Sequence, residues 1–82
     1  MTESEIRQRL RAWIVNRARD KPDELRDDMP ILENGILTSL DVVELILFIE
    51  NLRGGAEVSA EDLEPSAFRD VDSIYRSFFV TA

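Results

Sequence analysis

The chain has 82 residues, 44% hydrophobic and 33% charged, and its 17 Asp and Glu outnumber 10 Lys and Arg for a net charge of −7. Such a length allows one small domain that buries roughly 60% of its unfolded surface, so a catalytic pocket walled off from water is hard to build. An acidic surface repels phosphate backbones and argues against nucleic acid, while it attracts proteins with basic patches and speeds their encounter.

The first helix is expected to begin near Thr2, where Thr2-x-x-Glu5 can form a capping box. Ile6, Leu10, Trp13, Ile14 and Arg17 follow at helical spacing. The helix should stop around residues 18–20, because Lys21 precedes Pro22 and that position disfavours helix. From Pro22 to about Leu37 no period is sustained, but Leu25, Met29, Ile31, Leu32, Ile36 and Leu37 imply a long loop packed down on the body. A second helix is expected from about Ser39 to Arg53, ended by Gly54-Gly55.

At about 100° per residue, Val42, Leu45, Ile46, Ile49 and Leu52 form the core stripe of that helix. The other side carries Leu40, Asp41, Glu44, Leu47, Phe48 and Asn51, a mixture of carboxylates and large apolar groups. Phe48 is expected to pack on a third helix or on the loop. Ser59-x-x-Asp62 should cap that short third helix, with Pro65 cutting it off. Asp70 should cap the last helix, where Val71, Ile74, Tyr75, Phe78 and Phe79 keep the helical pattern. The fold class is therefore all-α, a small bundle of three main helices plus one short one, in a single domain over residues 1–82. Trp13, Phe68, Tyr75, Phe78 and Phe79 are read as core.

Cysteine and histidine are both absent. That removes disulfides, a thiol nucleophile, the commonest general base and the commonest metal ligand, and with them any Ser-His-Asp triad. The acid pairs Asp27-Asp28 and Glu61-Asp62 fit no calcium loop and are read as surface charge. No metal site and no enzymatic activity of its own are expected. The start, Met1 to Glu5, is polar and acidic, unlike a signal peptide, and no apolar run is long enough for a bilayer. A cytoplasmic monomer without membrane or nucleic-acid partners is the expectation.

The segment that carries chemistry runs from Asn34 to Leu45. Ser39 sits where loop becomes helix, so its hydroxyl should project into solvent beside unpaired N–H groups with partial positive charge. A phosphate ester there would lie in a favourable field.

Gly35 four residues before Ser39, then Ser39-Leu40, then Glu44-Leu45, with Phe68-Arg69-Asp70-Val71-Asp72-Ser73-Ile74 downstream, resemble the acyl carrier protein family over essentially the whole chain. The resemblance implies an acyl-carrier-like bundle in which Ser39 receives 4'-phosphopantetheine from coenzyme A through a phosphopantetheinyl transferase. The arm's thiol would hold acyl groups as thioesters for partner enzymes of fatty acid, polyketide or more specialised biosynthesis. Acyl- or aminoacyl-loading and acyl-processing enzymes with basic docking patches are the implied partners. The helix after the serine is the family's docking face, which implies docking roles for Leu40, Asp41, Glu44 and Leu47.

The family's usual motif is Asp-Ser-Leu, whereas Thr38 precedes the serine here. The usual aspartate helps the transferase and its metal engage the serine. Thr38 is instead a good N-cap, and Thr38-x-x-Asp41 can form a capping box worth about 1 kcal/mol. The helices begin near Met1 and end close to the last residue, so a discrete carrier is expected, not part of a megasynthase. The rival readings are an aminoacyl or peptidyl carrier and an unmodified acidic helical adaptor.

Overall fold

The computed structural model describes residues 2–18, 22–59, 61 and 63–80. Among these residues the fold is all-helical, with three α-helices, a 3-10 turn and no strand. Helix α1 spans Glu3–Arg17, α2 spans Ser39–Leu52 and α3 spans Val71–Phe78, with the 3-10 turn at Pro65–Phe68 just before α3.

Local chemistry explains the boundaries. Thr2 Oγ1 accepts the Glu5 N–H at 3.2 Å and starts α1, while Ala18 ends it in extended backbone before Pro22. At α2 the capping box is complete: Thr38 Oγ1 accepts the Asp41 N–H at 3.3 Å and Asp41 Oδ2 accepts the Thr38 N–H at 3.0 Å. The far end of α2 closes as a Schellman motif. Gly54 turns to φ +72° and donates to Asn51 O, and Gly55 donates back to Glu50 O at 2.8 Å. Asp70 caps α3 by accepting the Ser73 N–H at 2.6 Å.

The core draws on every element. Leu10 and Ile14 of α1, Leu45 and Ile49 of α2, and Val71, Ile74 and Phe78 of α3 meet Phe68 and the loop residues Leu25, Ile31, Ile36 and Leu37. These loop side chains let a segment without regular structure remain fixed, since each removes apolar surface from water. Backbone bonds add direction: Ile31 N–H donates to Arg69 O, Leu37 N–H to Ile31 O, and Asp72 N–H to Asp27 O. Gly35, at φ +71°, makes the turn that returns the chain to Leu37 and the start of α2.

Several expectations need correction. Pro65 opens a 3-10 turn that the sequence did not announce, at a first position where its missing N–H costs nothing. The expected helix after Ser59 falls partly on Ala60 and Asp62, which lie outside the described residues; Ser59 Oγ accepts the N–H of Glu61, two positions on. Phe48 stacks on Trp13 of α1, with ring centroids 5.6 Å apart. Of the aromatic residues read as core, Phe68 and Phe78 are buried, whereas Trp13, Tyr75 and Phe79 are half-buried at its margin.

Asp27 is not a simple surface charge. Arg7 and Arg11 both donate to it, and Arg7 also reaches Glu3 and Asp72 while lying 4.7 Å over the Tyr75 ring. This cluster ties the long loop to α1 and α3 and so holds the approach to α2 in place. Burial alone would push the Asp27 carboxyl up, but the hydrogen bonds and charges of Arg11 and Arg7 outweigh it and hold the group low. Burial likewise disfavours the Arg7 cation, yet its bonds to Asp72, Asp27 and Glu3 win and raise its pKa.

Candidate functional site

Ser39 is the first residue of α2 and is exposed. Two features place it there. Leu37, buried one residue before the Thr38 cap, anchors the incoming chain, and the Thr38–Asp41 box fixes the first turn. The helix behind it is 14 residues long, so its unpaired N–H groups and the positive end of its dipole face the serine's surroundings. Asp41 already places a carboxylate in this field, bonded to both the Thr38 N–H and the Thr38 hydroxyl.

Beside Ser39 lies an open groove of about 310 Å³, lined also by Leu32, Val42, Ile46, Leu63, Pro65 and Phe68. Its walls are α2, the long loop and the chain leading into the 3-10 turn. The groove is largely apolar, so it can take hydrocarbon, and among the described residues that line it only the serine hydroxyl is a reactive polar group. Ile46, which sequence periodicity assigns to the core stripe, is half-buried here as part of this wall.

The four residues assigned to docking divide into two kinds. Leu40 is 75% exposed and Leu47 62% exposed, side chains with no place in the core. Asp41 is half-buried in the capping box. Glu44 is exposed but forms an ion pair with Arg17 of α1. All four lie on the outward part of α2, and Ser39 stands at its start.

Sequence reasoning missed two members of this surface. Val43, 57% exposed, lies between Leu40 and Leu47 at helical spacing and completes an apolar stripe. The interval 40, 43, 47 was itself a readable signal. The second is the cluster in which Trp13 stacks on Phe48 and Arg17 lies 5.4 Å over the Trp13 ring. A stripe of three exposed aliphatic side chains on one helix is unusual for a purely solvated face and suits contact with another protein.

No described helix is long and apolar enough to cross a membrane. Comparison with models of known protein families and with curated proteins finds no match for this chain.

Proposed function

We propose that the chain is an acyl carrier domain whose Ser39 holds 4'-phosphopantetheine and whose α2 presents the arm to partner enzymes. The observation that carries the reading is the exposed Ser39 hydroxyl at the first position of a capped helix, next to an apolar groove. Attachment joins Ser39 Oγ to the phosphorus that bears the pantetheine. One pyrophosphate P–O bond of coenzyme A breaks, adenosine bisphosphate leaves, and the serine proton passes to the transferase. When attached, the arm supplies the thiol that this cysteine-free chain lacks, and that thiol carries acyl groups as thioesters.

The protein's own residues do four things in this scheme. Thr38 and Asp41 keep the helix start rigid, so the ester is borne on a fixed base. The N-terminal end of α2 favours the phosphodiester charge. The groove offers apolar cover for hydrocarbon near the attachment point. Leu40, Val43 and Leu47 give a partner enzyme a surface to bind beside the cargo.

Intact mass spectrometry after incubation with coenzyme A and a broad-specificity transferase tests the proposal. One phosphopantetheinyl group should be gained, and Ser39→Ala should gain none. An unchanged mass for the natural sequence, or an equal gain in Ser39→Ala, rejects it. Thr38, in the place of the family's aspartate, favours a second reading as an unmodified acidic adaptor. That reading requires Ser39→Ala to keep full affinity for its partner and requires the protein from its native cell to carry no added group.

A further inference from the structure

The outward face of α2 looks acidic on paper, yet the two carboxylates nearest Ser39, Asp41 and Glu44, are engaged within the protein. Asp41 accepts from the Thr38 N–H and hydroxyl. Glu44 is paired with Arg17, and both side chains are about half-exposed, within reach of a docking protein. Arg17 is positioned from α1, and its guanidinium lies 5.4 Å over Trp13, which also stacks on the Phe48 ring of α2. A cation held over an aromatic face by electrostatic attraction is oriented before it meets its carboxylate.

We propose that Arg17 is a specificity-determining residue of the docking face. By occupying Glu44 it selects partners that meet Leu40, Val43 and Leu47 with an apolar patch and place no Lys or Arg at Glu44. This rests on the carrier reading and names the chemistry of its partner. A partner cation directed at Glu44 must displace a guanidinium already there, or sit beside it as a like charge. Discrimination of this kind works through a repulsive element as much as an attractive one. The net charge of −7 still steers basic proteins from a distance. Arg17 acts only at contact, over the few ångströms where charge pairing is decided.

The test compares modification of Ser39 by a transferase with a basic docking surface in the natural sequence, Arg17→Gln, Arg9→Gln, Glu44→Gln and Arg17→Gln/Glu44→Gln. Circular dichroism establishes that each variant is folded. Arg9→Gln removes a cation from the same helix and serves as the control for net charge. Arg17→Gln should raise kcat/KM at low salt roughly fivefold above Arg9→Gln, the scale of one exposed ion pair. The gain should vanish near about 0.5 M salt, where screening is strong, and should be absent in the double variant. Dissociation constants followed by Trp13 emission should fall in the same order. Equal rates for Arg17→Gln and Arg9→Gln, or a gain that survives Glu44→Gln, overturn the inference and leave the carrier reading standing. If no variant gains mass, the carrier reading falls and takes this inference with it.

Discussion

Replacing Arg7 by Met should remove about 3 kcal/mol of stability at neutral pH. The guanidinium is only 18% exposed and makes three bonds, at 2.9 Å to Glu3, 2.9 Å to Asp27 and 2.8 Å to Asp72. A hydrogen bond to a charged group contributes about 1.5–3 kcal/mol when buried. Asp27 is 27% and Asp72 37% exposed, so solvent screening reduces each to about 1 kcal/mol. The exposed Glu3 pair adds a few tenths, and the contact with Tyr75 about 0.5–1 kcal/mol. Met keeps the packing of the aliphatic stem, so the loss reports the charged head. An 82-residue domain has roughly 4–12 kcal/mol in total, and Tm should fall by about 15 °C. Urea unfolding followed by circular dichroism and by Trp13 emission measures the difference. Its pH dependence has a definite sign. Asp27 is held below the ordinary aspartate range, so its contribution is complete above that range and is lost as pH falls through the folded value, below about 4. The raised pKa of Arg7 would remove stability only in strong alkali. The gap between the natural sequence and Arg7→Met should therefore narrow between pH 7 and pH 3. A loss under about 1 kcal/mol at pH 7, or an equal gap at both pH values, would refute the assignment of this cluster as the clamp on the loop.

Four further substitutions, at three positions, probe α2 and its surroundings. Thr38→Val should cost about 1 kcal/mol by removing the cap. Thr38→Asp should keep stability within about 0.5 kcal/mol, since aspartate caps equally well, and should speed modification by restoring a carboxylate beside Ser39; urea unfolding and initial rates read the two effects separately. Gly54→Ala meets no atom within 4 Å, so its cost of about 1 kcal/mol should come from backbone at φ +72° alone, measured as a lower urea midpoint at unchanged m. Phe48→Ala should cost about 2 kcal/mol and shift Trp13 emission to the red, because half of a stacked aromatic pair is lost.

The helices were legible where a local signal decides. Thr38-x-x-Asp41, Gly54-Gly55 and Asp70 each act through bonds to residues at most five positions away, and all three perform as read. The apolar periods of α2 and α3 give their buried sides for the same reason. The turn that Pro65 opens was not legible, because proline can both end a preceding helix and start a following one, and sequence alone does not separate the two roles. Asp27 misled for a different reason. Its meaning depends on Arg7 and Arg11, 20 and 16 residues away, and on the loop being folded back against α1. No short window contains that fact.

The proposed docking face shows the same division. A helical wheel puts Leu40, Asp41, Glu44 and Leu47 together on α2, where Asp41 is half-buried and the other three are exposed. It cannot say whether a carboxylate on that wheel is available. Asp41 is taken by its own cap and Glu44 by a cation from another helix. One hint was present: Arg17 continues the spacing of Ile6, Leu10, Trp13 and Ile14, so a cation stands where the inner stripe of α1 would place an apolar residue. An arginine at such a position must either break the packing or find an anion and an aromatic face to receive it. Trp13 four residues before it supplies the ring, and α2 supplies the acid. On the proposed docking helix the charge of Glu44 is thus met first by a residue of α1, and a count of acidic side chains along α2 overstates what is left unpaired.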